Sequence, residues 1–291
     1  MRTIAGCGAL LLAVLTVPGA GRPSSFAVPE PEWRASAPGF ERAEVDLSPA
    51  GGWRTRIVAV RIDPAGFRFR LRARLGAGGP GWTVDRAPGD AVLALNAGQF
   101  SGIAPWGWVV MEGREIRPPG TGPLSTAVAW DAMGRVRWFA PPEIAAERAA
   151  GRTVEAFQSY PTLLDERGGI PRPLLEAGHG VDTEHRDARL AIGSRPDGRL
   201  IVAITRFDGF GPVSPALPLG LTLEEMARVM RVLGCNRAVS LDGGISAQLL
   251  LREDGRTVAW RGWRPVPLGL VAEPIAAGLP AGPEGAQPPG R

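Results

Sequence analysis

The chain has 291 residues, 44% hydrophobic and 21% charged, an ordinary globular composition with enough material for one large domain or two small ones. Its 40 glycines and 29 prolines favour short strands and turns over long helices. All 33 basic residues are arginine, spread along the chain among 29 acidic ones; without a concentrated basic stripe, the composition argues against nucleic acid as a partner.

Residues 1–27 read as an export signal. Arg2 supplies a positive start, residues 4–17 are apolar but too few to span a bilayer, and Pro18-Gly-Ala20 and Ser25-Phe-Ala27 offer small-residue cleavage sites. The expected location is periplasmic or extracellular. An uncleaved leader would be the one membrane anchor, since no later stretch is apolar enough to span. Cys7 falls in this leader, so Cys235 is the lone cysteine of the mature chain and no intramolecular disulfide is expected.

Residues 28–50, rich in proline and alanine, read as a linker; 51–275 as one domain; 276–291 as a disordered tail. Within the domain, Thr55–Asp63 reads as a strand. Phe67–Leu75 alternates strictly, with Phe67, Phe69 and Leu71 on one face and arginines on the other, as in a half-exposed antiparallel strand. Gly76–Gly81 spells GxGxxG but contains Pro80 and opens no helix, so a dinucleotide site is rejected. Ala91–Leu95 is a short buried strand ending at Asn96, followed by Ala97-Gly98. Asn96 at such a strand end is by itself a turn residue or a ligand-binding amide. Trp106 and Trp108 serve as core or as stacking faces.

Leu124–Trp130 and Val136–Phe139 read as a hairpin, Glu143–Ala150 as a surface helix, and Arg189–Ile192 with Arg199–Thr205 as a second hairpin. Gln158–Leu164 leads into a loop region ending near Asp187. That region holds His179 and His185 with Asp182, Glu184 and Asp187 nearby, at a spacing that matches no metal motif; a loop over the site is the better reading.

The most informative stretch is 220–251. Thr222 and Glu225 form a capping-box pattern, Leu223, Met226, Ala227, Met230 and Leu233 share a helical face, and Gly234 supplies a left-handed end. A buried strand, Ala238–Leu241, then runs into Asp242-Gly-Gly-Ile-Ser246. A carboxylate between an apolar strand and two glycines makes Asp242 the first candidate for chemistry. Ser246 as a hydrolase nucleophile is disfavoured: the second elbow glycine is missing and both histidines precede the serine. Short strands with one convincing helix imply an α+β fold with a mixed, largely antiparallel sheet and a few packed helices.

GLTLEE and LGCNRAVSLDGGIS, together with ALNAGQF (94–100), PWGWVVMEG (105–113), QSYP (158–161), RLAIG (189–193) and RPVP (264–267), resemble in order the motifs of the phosphodiester glycosidase family. The resemblance covers about residues 90–272. It implies hydrolysis of a sugar-1-phosphodiester on cell-envelope or exopolysaccharide glycans, with a carbohydrate phosphodiester as partner and neither metal nor other cofactor. The alternative is a non-catalytic glycan-binding envelope protein on the same scaffold. The matched positions imply Asp242 at the anomeric centre, Arg189 on the phosphate and Asn96 as a third catalytic group. Gln158, Ser246, Gly243, Gly244, Gly98 and Trp106 would bind substrate. The chain departs from the motifs at Ile245 and Ala247, where the family has glycine and serine, at Gln99, where an aromatic is usual, and at Leu190, where threonine is.

Overall fold

A computed structural model of the chain describes residues 26–47, 55–74, 81–207 and 220–275. The leader through residue 25, residues 75–80 of the glycine motif, residues 208–219 and the tail lie outside the described residues.

Three antiparallel sheets share one core. The largest has seven strands in the order 34–37, 40–47, 55–62, 200–207, 190–194, 237–241 and 162–164. A second, five-stranded sheet runs 256–260, 249–253, 93–96, 268–274, 67–73, and a third runs 136–139, 126–131, 153–159, 109–111, 114–117. Every pairing between described strands is antiparallel, so the mixed character expected from sequence is absent among them. Helices are few, at Pro141–Ala150, Arg172–Leu175 and Leu223–Val232.

The shared core takes Val60, Ile192 and Leu241 from the seven-stranded sheet, Leu71, Leu95 and Leu270 from the second, and Trp130 and Phe157 from the third. Each sheet also has a cover on its outer face. The helix 223–232 lays Leu223, Met226, Ala227 and Met230 on the seven-stranded sheet. Trp82 and Val84 cover the second sheet, and Ile144 of the helix 141–150 covers the third. Central strands are therefore buried on both faces: Ile57, Val58, Ala59 and Val60 are all inaccessible. That is why Thr55–Ile62 reads as nearly continuous apolar sequence.

The linker expected at 28–50 is corrected. Arg34–Ala37 and Phe40–Leu47 are the first two strands of the large sheet, and Phe40, Ala43, Val45 and Leu47 are buried. Prolines hid this alternation, but Pro38 sits in the connecting turn with Gly39 at φ +72°, where a two-residue turn needs positive φ. The loop expected from Gln158 to Asp187 is likewise shorter. Gln158 belongs to the strand Thr153–Ser159, and Thr162–Leu164 is an edge strand. The capping box forms as read: Thr222 Oγ1 accepts from Glu225 N at 3.2 Å, and Glu225 Oε2 accepts from Thr222 N at 3.0 Å. Gly234 ends that helix at φ +88°.

Phe67, Phe69 and Leu71 point inward as the alternation requires, and on the other face Arg72 meets Glu273 of the neighbouring strand at 2.8 Å. One buried carboxyl makes no ion pair within 4 Å among the described residues. Glu155 accepts from Leu71 N at 3.1 Å, and burial pushes its pKa up to about 7 against the Leu71 and Glu112 amides and Arg70, with the Glu112 charge adding to the push. A folded pKa above the unfolded value means stability is lost as pH rises between about 4.5 and 7. Glu155→Gln should therefore stabilise the fold at pH 8 by up to about 3 kcal/mol, and by little at pH 4. Urea unfolding at the two pH values checks this; equal effects at both would refute it.

Candidate active site

Strand ends from two sheets meet at one corner. Leu190 lies opposite Leu241 in the large sheet, so Arg189 and Asp242 leave adjacent strands side by side. Asn96 ends a strand of the second sheet and donates from Nδ2 to the Asp242 carbonyl at 2.8 Å, while its Oδ1 accepts from Gln248 N at 3.0 Å. Gly98 O accepts from Asp242 N at 3.0 Å. Two segments distant in sequence, 96–98 and 189–190, thus border the Asp242-Gly-Gly loop.

The two glycines admit a neighbouring chain. Gly244 N donates to Ala188 O at 2.7 Å, and a Cβ on Gly243 would lie 2.4 Å from that same oxygen. Gly244 has φ +57°, and a Cβ there would lie 2.6 Å from Asp187 Oδ2. The segment 186–189 is fastened in turn. Asp187 and Leu221 exchange backbone hydrogen bonds of 3.2 and 3.1 Å, and Arg186 makes a bidentate pair with Glu225 at 2.7 and 2.6 Å. The residue that caps the helix also anchors the site.

Around the Asp242 carboxyl lie Asp187, Arg264 and the buried hydroxyl of Ser246. Burial pushes the Asp242 carboxyl above the ordinary aspartate range; Asp187 adds to the push, while the Ser246 hydroxyl and Arg264 pull the other way without cancelling it. Arg264 Nε donates to Ser246 Oγ at 3.1 Å, and its guanidinium lies 4.9 Å over the Phe100 ring. The Ser246 hydroxyl thus accepts from the guanidinium and lies close to the carboxylate. Arg264 is exposed and makes no ion pair within 4 Å among the described residues, a cation held in place with its outer nitrogens open to an anion. His185 Nε2 stands 3.6 Å from Asp187 Oδ2. Among the described residues no three His, Cys, Asp or Glu side chains gather to hold a metal ion.

The other residues singled out from sequence lie further back. Arg189 is buried, its Nε donating to Leu221 O at 2.8 Å and its Nη2 to His185 O at 2.5 Å; burial lowers its pKa against the pull of Asp187, Asp182 and Glu225. Asn96 and Gln158 are fully buried. Gln158 Oε1 accepts from Trp108 N at 2.9 Å and Gly120 N at 2.8 Å, and its Nε2 donates to Ser125 Oγ at 2.8 Å. Its amide braces the 107–125 segment. Trp106 is half-buried, edge-on to Tyr160 at 6.5 Å. Gln99 Nε2 donates to Tyr160 O at 2.8 Å, and Leu190 is wholly inside the core, so neither unusual residue opens onto Asp242. Arg264 and Asp187 were missed as site residues, although the RPVP match flagged the first.

Asn96 makes a prediction. Asn96→Ala leaves the Asp242 carbonyl and the Gln248 N–H buried without partners and should cost about 2–4 kcal/mol. Chemical denaturation measures it; a loss under about 0.5 kcal/mol would mean that the amide is not holding the loop.

Comparison with known proteins places the family and the fold. A sequence model of the phosphodiester glycosidase family matches residues 89–273. No curated protein sequence matches the chain. Among solved structures, the fold is similar to the zebrafish N-acetylglucosamine-1-phosphodiester alpha-N-acetylglucosaminidase catalytic domain, auto-inhibited by its pro-peptide, with 17% identity, TM-score 0.61, and 86% of this chain and 88% of that one covered. It is also similar to a Synechocystis protein with 16% identity and TM-score 0.58, over 85% of this chain; the match spans 64% of that protein's length. A Burkholderia pseudomallei K96243 protein matches with 17% identity and TM-score 0.55, over 77% of this chain and 75% of that one. The family match spans well over half of the sequence and contains Asn96, Asp187, Arg189, Asp242 and Arg264 within its bounds, and on that ground the chain belongs to the phosphodiester glycosidase family.

Proposed function

We propose that the protein hydrolyses a sugar-1-phosphodiester of a cell-envelope or exopolysaccharide glycan, outside the cytoplasm. The observation that carries this reading is the Asp242–Ser246–Arg264 array, in which an exposed guanidinium is bonded to a hydroxyl that lies close to the carboxylate. A phosphodiester is a weakly basic leaving group. It needs little protonation but needs its anionic oxygens held, which a guanidinium does well. As the bond between C1 and the phosphate oxygen breaks, positive charge grows at C1, where a carboxylate stabilises it.

In this scheme Arg264 holds the phosphate and Asp242 faces the anomeric carbon. Water attacks C1, Asp187 takes its proton, and the phosphate leaves as a monoester of its other alcohol. Arg189, Asn96 and Gln158 act as positioning residues, since their polar groups hold backbone. Ser246 fixes the spacing between carboxylate and guanidinium, and Gly98, Gly243 and Gly244 let the loop close over Ala188. Export is proposed from the leader pattern at residues 1–27. The test is a panel of sugar-1-phosphodiesters and nucleotide sugars incubated with the purified chain. Release of free sugar and a phosphomonoester supports the scheme; glycan binding without turnover would replace it with a binding role.

A further inference from the structure

We infer that the site selects a phosphodiester whose aglycone is apolar, an aryl or alkyl group, and that Trp263 and Ile245 receive it; this rests on the reading just proposed. Large hydrophobic side chains exposed among the described residues are few, and two of them flank the catalytic array directly. Ile245 is 46% exposed and sits between Asp242 and Ser246 in the loop; Trp263 is 61% exposed and immediately precedes Arg264. Their backbones are joined, Trp263 N donating to Ile245 O at 2.7 Å. Gly262 permits this approach, since a Cβ there would lie 3.0 Å from Ser246 O.

The position of this pair relative to Arg264 decides which part of the substrate it meets. Arg264 would hold the phosphate, with the Phe100 ring against its guanidinium at 4.9 Å. The hairpin that carries Phe100 (99–101 paired with 104–106) turns at Ile103, which is 62% exposed. What lies beyond the phosphate therefore meets Trp263, Ile245 and the Phe100 hairpin. Sugar hydroxyls in that place would need several fixed donors and acceptors, and of Trp263, Ile245 and Phe100 only the Trp263 indole N–H offers one. An aryl or alkyl group would shed water against them. Ile245 also stands where the matched motif has glycine, so this lip belongs to this chain's own version of the loop.

The experiment is a series of sugar-1-phosphodiesters with one sugar and four aglycones: methyl, glyceryl, benzyl and octyl. With about 100 Å² of apolar surface buried, kcat/KM should rise at least about 30-fold from methyl to benzyl or octyl, with glyceryl near methyl. In the Trp263→Ala/Ile245→Gly double variant the benzyl-to-methyl ratio should fall to within about threefold of one. Both side chains are largely exposed, so the variant should fold, and an unchanged melting temperature verifies it. A flat series, a preference for glyceryl, or a gradient that survives in the double variant overturns the inference while leaving phosphodiester hydrolysis standing. The sugar is taken from a substrate cleaved in the panel above, so turnover of no member of the series overturns the inference and leaves the proposed function standing.

Discussion

Asp242→Asn is expected to lower kcat on a sugar-1-phosphodiester by about a thousandfold while KM moves by less than about threefold. The asymmetry follows from when the carboxylate is needed. A neutral sugar in the ground state gains little from a nearby negative charge, whereas the transition state carries positive charge at C1. Asparagine keeps the shape and loses that charge. The same substitution should stabilise the fold. Burial holds the Asp242 pKa above its unfolded value, so ionised Asp242 costs stability once pH rises through the ordinary aspartate range. A higher melting temperature at pH 7 than at pH 3.5, relative to the unsubstituted protein, is the expected signature. Retention of kcat within tenfold would remove Asp242 from the chemistry.

Arg264→Ala should reduce kcat/KM by about 10²–10³, mostly through KM, and weaken inhibition by inorganic phosphate to a similar degree. Its guanidinium has one hydroxyl and one ring as neighbours and is exposed, so the melting temperature should hardly change. Arg189→Ala should behave in the opposite way. Two of its nitrogens hold the carbonyls of Leu221 and His185, which tie the Asp187 segment to the helix start. Its loss should lower the melting temperature and reduce activity through kcat. If phosphate inhibition survives Arg264→Ala and disappears with Arg189→Ala, the anion sits on the buried arginine and the assignment is reversed.

Local physics made a large part of this protein legible. The pattern from Thr222 to Gly234 specifies a capped amphipathic helix because each signal acts within four residues: a hydroxyl on an amide, an apolar stripe, a glycine at positive φ. The Asp242-Gly-Gly stretch stood out because a carboxylate at the end of an apolar strand needs a reason. Less was legible where composition and periodicity disagreed. At 34–47 the prolines suggested a linker, yet the alternation of Ala43, Val45 and Leu47 prevailed because a neighbouring strand and a core were there to receive it.

The sequence alone determined that the chain is sheet-rich, where its main helix begins and ends, and which carboxylate to watch. It could not decide which arginine is open to solvent. Arg189 and Arg264 carry the same group in equally recognisable motifs, and what separates them is burial. One guanidinium is enclosed against two carbonyls, and the other stands over a phenyl ring in reach of solvent. Burial is a property of the strands packed around a residue, and around Arg189 those are the strands 200–207 and 237–241 of the large sheet, which no local pattern places beside it. For the same reason only the tertiary structure could show that Asn96 and Gln158 are fully buried, with hydrogen bonds to the Asp242-Gly-Gly loop and to the 107–125 segment.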